Sequence, residues 1–304
     1  NFPNPEEPGA MDAVLALARA QQTTLACAND PDADRLAVAV RESDGNYQLL
    51  SGDAVGILLA DYLLSKEHSF IPIVCTTIVS SSMLGAVAAA AGALYRETLT
   101  GFKWLANVAL ALEDEHHKFL FAYEEALGYA PGGQVRDKDG LSALLAFAQM
   151  TAELERRGSS VQEHLKTLFR EHGIFLTDQR SLALDRGAVP IGELLRASPP
   201  ERIGGQLVMQ IDDLKAGTRY NVDGTMELLE FPSSDVLIFR LESGARIIVR
   251  PSGTEPKVKC YYEVRESVGD EEFRVGMLRA EVALAGLVVE HQNSLAALIE
   301  AANP

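Results

Sequence analysis

Basic side chains are in short supply in this sequence. Its 304 residues carry 27 Lys and Arg against 43 Asp and Glu, a formal balance of −16. Such a surface repels nucleic acid and anionic membranes, so neither is expected as a partner. Any phosphorylated ligand must be gripped by local basic clusters, because the overall field pushes it away. Cysteine is scarce too. Cys27, Cys75 and Cys260 lie far apart among apolar neighbours with no CxxC or CxxH spacing, and they read as reduced, buried thiols in a cytoplasmic protein. Uninterrupted apolar runs are short. The longest candidate, Ala54 to Leu64, is broken by Asp61 and stays well below the ~20 residues of a membrane span. No secretory leader is seen, and no GxxxxGK[ST] appears, which leaves Walker-type nucleotide binding without support. The first residue is Asn1 rather than Met, and the opening NFPNPEEPG looks like a loop entered mid-protein, so a fragment is the simpler explanation.

What is there is ordinary globular composition, 47% hydrophobic and 23% charged, long enough for two or three domains. Helical periodicity over Ala10 to Gln21 precedes strands Leu25 to Ala28 and Leu36 to Val40, which flank a turn-rich Asn29 to Arg35. Asp44-Gly45-Asn46 marks a turn into Tyr47 to Leu50. Helices Ala54 to Leu64, Met83 to Ala91, Phe102 to Glu113 and Leu141 to Arg157 then alternate with strands Ile71 to Thr76, Leu94 to Glu97 and Phe119 to Tyr123. That alternation argues for βαβ units and a mainly parallel sheet. After Gly173, strand-like runs dominate: Ser181 to Leu184, Gln206 to Ile211, Val236 to Leu241, Arg246 to Val249 and Val258 to Val264. A long helix, Glu271 to Ile299, closes this α+β unit. The boundary falls at Glu171-His172-Gly173.

Asn29-Asp30-Pro31-Asp32-Ala33-Asp34-Arg35 sets three carboxylates at i, i+2 and i+4 in a turn. Bare carboxylates that close repel unless a cation neutralises them, and hard oxygen ligands favour Mg²⁺ or Ca²⁺. An EF-hand fails, because its glycine position holds Arg35 and its terminal-glutamate position holds Arg41. Three Asp with an adjacent Arg suit Mg²⁺ that shares its remaining positions with phosphate oxygens. An isolated triplet can equally be a solvated acidic turn, but apolar strands on both sides fix this one at a sheet's edge.

Arg250-Pro251-Ser252-Gly253-Thr254-Glu255-Pro256-Lys257 separates two strands near the C-terminus. Ser252, Gly253 and Thr254 offer backbone N–H groups and two hydroxyls, with charge from Arg250 and Lys257 on either side. That can hold a phosphate without a P-loop helix; the alternative is a hairpin with exposed basic ends. Between the two loops, Tyr123-Glu124-Glu125-Ala126-Leu127-Gly128-Tyr129 follows a strand end. There Glu124 can accept two sugar hydroxyl hydrogen bonds, or belong to an exposed acidic turn. Arg136 and Lys138, in Arg136-Asp137-Lys138-Asp139-Gly140, open a helix and could reach a phosphate or accept a proton. Lys103, in Thr100-Gly101-Phe102-Lys103-Trp104, stands near another strand end. Trp104 reads as core, and His116 and His117 as solvent-exposed.

In this order DPDADR, TGFKW, EEALGY, VRDKDG and RPSGTEPK resemble the phosphohexomutase (phosphoglucomutase/phosphomannomutase) superfamily over nearly the whole chain. The EEALGY form is similar to the branch holding bacterial phosphoglucomutase/phosphomannomutases and phosphopentomutase-like animal enzymes. The resemblance implies four domains around one cleft, with domain 1 and much of domain 2 absent here. Residues 1–40 would be a truncated α/β metal-loop segment, the tail of domain 2. Residues 41–172 would be a complete three-layer α/β domain 3 with a mixed, mostly parallel sheet, and 173–304 the α+β domain 4. The implied activity is an isomerase interconverting hexose 1- and 6-phosphates through a phosphoserine and a sugar 1,6-bisphosphate. By that comparison Asp30, Asp32 and Asp34 hold Mg²⁺ and Arg35 steadies the transferring phosphoryl group. Glu124 binds sugar hydroxyls. Arg250, Ser252, Gly253 and Thr254, with Lys257, grip the phosphate that is not reacting. Lys138 or Lys103 removes the hydroxyl proton.

Two departures matter. Ala126 stands where several branches carry a serine beside the sugar-binding Glu, which leaves the preferred sugar open. No serine sits in the family's nucleophile motif, since Ser80-Ser81-Ser82 lies in an unrelated strand-to-helix turn. The chain alone is therefore expected to bind Mg²⁺ and sugar phosphate without turning over. Apolar surface at a severed domain 2 would favour aggregation or dimerisation, the oligomeric state being open. The rival readings are a phosphopentomutase or sugar-bisphosphate synthase of the same family, a non-catalytic sugar-phosphate-binding protein, and a Mg²⁺-dependent phosphatase using Asp30 as nucleophile.

Overall fold

The chain divides between His172 and Gly173 into two units. The computed structural model describes residues 4–183, 189–251, 257–269 and 272–302. In the first unit α1 (Asp12–Gln21) leads into an antiparallel sheet of β1 (Leu25–Asn29), β2 (Leu36–Arg41) and β3 (Tyr47–Leu49). The β2–β3 hairpin turns at Asp44-Gly45-Asn46. There Asp44 Oδ1 accepts the Asn46 N–H at 2.8 Å, and Gly45 takes φ +89°, which glycine adopts without strain. Next come α2 (Gly52–Leu64), β4 (Ile71–Thr77), α3 (Met83–Ala90), β5 (Leu94–Thr98) and α4 (Phe102–Leu112). They are followed by β6 (His117–Glu124), β7 (Gly128–Pro131), α5 (Gly140–Arg156) and α6 (Val161–His172).

The second sheet of this unit runs β5-β4-β6-β7, parallel through its first three strands, with β7 folding back antiparallel on β6. Strand alternation sorts its two faces. Ile73, Cys75 and Ala122 pack against Phe102, Leu105 and Ala109 of α4. The Tyr123 ring lies on the opposite face, against α2 at Gly56, with Phe121 stacked beside it. Helix, sheet and helix make the three layers, and the sheet is mixed and mostly parallel, as the alternation predicts.

The second unit comprises β8 (Ile174–Ala183), α7 (Ile191–Ala197), β9 (Arg202–Ile203), β10 (Gln206–Asp213) and β11 (Thr218–Asn221). It continues with β12 (Met226–Leu228), β13 (Leu237–Leu241), β14 (Arg246–Pro251), β15 (Lys257–Glu266) and α8 (Phe273–Ala302). One antiparallel sheet runs β12-β11-β10-β13-β14-β15-β8, with β9 added to β10. Arg246 and Glu263, opposite each other in the β14–β15 register, form a buried ion pair. By length and composition α8 could cross a bilayer, a property that no uninterrupted apolar run in the sequence announces. Here it packs on β8 and β15, burying Ala280, Leu287 and Leu295.

Candidate active site

The acidic turn between β1 and β2 is tied by its own side chains. Asn29 Nδ2 donates to the Arg35 carbonyl at 2.6 Å, and Asp30 Oδ1 accepts the Arg35 N–H at 3.2 Å. Ala33 takes φ +58° and is one of three non-glycine residues at positive φ among the described residues. Its carbonyl accepts the Gly140 N–H at 3.1 Å. A β-carbon on Gly140 would stand 2.5 Å from Asn29 Nδ2 and 2.8 Å from the Ala33 carbonyl, so α5 starts pressed onto this loop. Asp139 caps α5, its Oδ1 accepting from the Leu141 and Ser142 N–H groups at 3.1 and 3.3 Å. Asp139→Ala should cost about 1 kcal/mol, read as a lower urea midpoint.

The three aspartates are not equivalent. Asp30 is buried, Asp34 half-buried and Asp32 exposed. Asp34 meets the Asp30 carboxyl on one side and Lys138 Nζ on the other, at 2.8 Å. Arg35 Nε lies 3.9 Å from Asp30 Oδ2. Burial alone would raise the Asp34 carboxyl, but Lys138, with Asp30 and Arg35, holds it below the usual carboxylate range. Among the described residues no three acidic, His or Cys side chains form a ready metal cage: Asp30 and Asp34 lie side by side, and Asp32 is exposed. Arg35 and Lys138 lie against Asp30 and Asp34, and Asp32 is on the same turn. The chemistry of the donor set still fits a hard divalent cation, since it is oxygen-only with two carboxylates already side by side.

The EEALGY stretch is fastened to the acidic loop through the backbone. Leu36 N–H donates to the Leu127 carbonyl at 3.1 Å, and Arg35 bridges Gly128. Leu127 takes φ +63°, a costly conformation for a bulky residue. Glu124, the last residue of β6, has Oε1 held by the Gly101 N–H at 2.7 Å, just ahead of α4. Burial raises its carboxyl, against the pull of Lys138 and Arg35. The two cations therefore share one electrostatic neighbourhood with Glu124 and the aspartates.

Burial alone would lower the Lys138 ammonium, but its pair with Asp34 outweighs this and raises it. Lys138 is thus a cation here, and could act as a proton acceptor only after the pair opens and the ammonium has given up its own proton. Lys103 is exposed, its Nζ 5.2 Å from the centroid of Trp104, itself half-buried rather than core. Arg136 is exposed and lines an apolar cavity of ≈ 50 Å³ with Phe102, Ala106 and Val135. In the second unit Arg250 is the last residue but one of β14 and Lys257 is the first of β15. Ser252, Gly253 and Thr254 lie outside the described residues. Ser80 and Ser81 are buried, at 0% and 2% exposure, and are closed to a substrate. Gly101, Gly140 and Glu125 escaped the sequence reading. Glycines opening two motif helices and the second acid of a Glu-Glu doublet were the only signals for them.

Four charged motifs thus gather beside the carboxyl ends of β4 and β6, where α/β sheets place their ligands. Three family models follow the same order. "Phosphoglucomutase/phosphomannomutase, alpha/beta/alpha domain II" matches residues 1–45, the corresponding domain III residues 51–172, and the C-terminal domain residues 201–280. The chain belongs to the phosphoglucomutase/phosphomannomutase family. It is 38% identical over 270 residues to a probable phosphomannomutase of Haemophilus influenzae, covering 87% of this chain and 51% of that one. It is also 38% identical over 276 residues to a probable phosphoribomutase of Schizosaccharomyces pombe, covering 86% and 46%. Other relatives are named phosphopentomutase and phosphoglucomutase. The open form of parafusin, a phosphoglucomutase from Paramecium, shares the fold with a TM-score of 0.67 at 21% identity, covering 98% of this chain and 51% of that one. The chain spans about half the length of the curated relatives it matches.

Proposed function

We propose that this chain supplies the metal-, sugar- and phosphate-holding parts of a phosphosugar mutase that moves a phosphoryl group between positions 1 and 6 of a hexose. The carrying observation is the backbone fastening of the acidic loop to the Glu124 turn, which places Arg35, Lys138, Asp34 and Glu124 in one neighbourhood. Glu124, with Oε1 fixed by Gly101, presents a carboxylate to sugar hydroxyls. Arg35 stabilises charge building on the transferring phosphoryl group, and Lys138 offers a cationic donor to phosphate oxygens. Mg²⁺ held by Asp30, Asp34 and Asp32 would supply Lewis-acid polarisation. Arg250 and Lys257, with Ser252, Gly253 and Thr254, take the phosphate that is not reacting. The phosphoryl donor is the phosphoserine of the family's scheme, and a sugar 1,6-bisphosphate is the intermediate. The buried Ser80 and Ser81 do not serve as that donor.

Trp104, the only tryptophan, sits three residues past Gly101 and reports on this site. Glu124→Gln should weaken glucose 6-phosphate binding by about 2 kcal/mol, some 30-fold, in a Trp104 fluorescence titration. Unchanged affinity would overturn the assignment of Glu124. The phosphoribomutase relative, at the same identity as the phosphomannomutase, supports a second reading, a pentose mutase. Titration with ribose 5-phosphate beside glucose 6-phosphate separates the two.

A further inference from the structure

Glu125, next to the sugar-binding carboxylate, has no part in that scheme, yet it is gripped more firmly than Glu124. Its backbone N–H donates to Ser80 Oγ at 3.1 Å, and the same hydroxyl donates back to Glu125 Oε2 at 2.8 Å. One buried serine thus closes a ring on both ends of one residue. Thr77 Oγ1, also fully buried, lies 2.8 Å from Ser80 Oγ and donates to Oε2 at 3.4 Å. From α2, the bare Cα of Gly52 lets the Glu125 backbone approach more closely than any side chain would allow. We propose that Glu125 is a positioning residue: clamped by Ser80 and Thr77 against the start of α2, it holds the Glu124 carboxylate at the sugar.

The surroundings of the clamp favour a neutral acid, although the hydrogen bond from Ser80 pulls the other way. Asp53, buried in the first turn of α2, accepts from the Ser81 N–H at 2.7 Å and the Tyr123 hydroxyl at 3.0 Å, and its charge bears on Glu125. Burial first and Asp53 second push the Glu125 carboxyl up to about 7, with Glu124 adding to the same side. The other groups facing it are the hydroxyls of Ser80 and Thr77 and the phenol of Tyr129, none of which supplies a cation. When Glu125 ionises, three carboxylates of one turn and one helix start repel, and the Glu124 turn loosens. Sugar affinity should then fall as pH rises through neutrality.

The inference rests on Glu124 being the sugar ligand, and its test keeps the two apart. The chain is titrated with glucose 6-phosphate from pH 6 to pH 8.5, followed by Trp104 fluorescence. Glu125→Gln, which keeps the neutral shape and the bond from Ser80, should retain the parent's affinity at pH 6 and lose the decline above pH 7. The ligand's own phosphate titration is common to both proteins and cancels in their ratio. Glu125→Ala should bind about tenfold more weakly at every pH, with far-ultraviolet circular dichroism unchanged. If it does not fold, Ser80→Ala opens the clamp from the other side and should give the same loss. A Glu125→Gln profile superimposable on the parent's, or parent-like affinity in the Ala variants, overturns the inference. If Glu124→Gln itself leaves binding unchanged, the sugar-site reading fails, and the inference with it.

Discussion

Gly52→Ala should cost the first unit about 3 kcal/mol or more and abolish sugar-phosphate binding with it. An alanine β-carbon there would overlap the Glu125 carbonyl and sit 2.6 Å from its carbon. Overpacking against a flexible side-chain tip relaxes cheaply, but here the obstacle is main chain held by Ser80. Either α2 tilts away, which strips the turn of its support, or the Glu124 turn moves and takes Glu124 from Gly101. Gly140→Ala should do the same to the acidic loop, since its β-carbon would meet Asn29 and the Ala33 carbonyl. That variant should lose Mg²⁺ binding by calorimetry while keeping the Glu124 turn. Urea unfolding followed by Trp104 fluorescence reads both costs. Gly286→Ala is the control: it lies in α8 with nothing within 4 Å of the new methyl group, and should be neutral or slightly stabilising. Wild-type urea midpoints and binding in the first two variants would mean that the close approach of helix starts to loops is not what holds this site.

The parts of this architecture that were legible are those where apolar periodicity and turn chemistry agree. The strands Leu36–Arg41 and Ile71–Thr77 are nearly continuous apolar runs bounded by turns. The same reasoning missed β7 because Gly128 and Pro131 bound a short strand that reads as loop. It missed α6 because VQEHLKTLFREH is polar overall, with Val161, Leu168 and Phe169 buried on one face. Strand β8 was read only from Ser181, since its sheet-edge position leaves Thr177 to Gln179 polar and partly exposed. In the site, charge could be read by residue type but not by partner. Asp30, Asp32 and Asp34 look alike in sequence, yet Lys138 from α5's approach singles out Asp34, and Asp32 stays in water. Nothing in a Glu-Glu doublet says how the two acids differ. Glu124 is held by Gly101 at the start of α4 and Glu125 by Ser80 in the turn after β4.

Between pH 4.5 and pH 7 the first unit should become less stable as pH rises, by up to about 3 kcal/mol from Glu125 alone. Its carboxyl moves from 4.5 to about 7 on folding. Below pH 4.5 the folded and unfolded states both hold the proton, and the group adds no penalty. Above it the unfolded chain releases the proton while the folded one keeps it, so folding must work against ionisation. Through pH 7 the folded state ionises as well, and the loss is complete. Glu125→Gln removes the titration and keeps the hydrogen bond from Ser80. Unfolded in urea at pH 4.5, the variant should match the parent. At pH 8 it should be the more stable of the two, an inversion of the usual result when a hydrogen-bonded buried acid is replaced. A parent more stable than the Gln variant at pH 8 would show the opposite balance. The hydroxyls of Ser80 and Thr77 would then outweigh the repulsion from Asp53, and Glu125 would be a carboxylate that the turn needs charged.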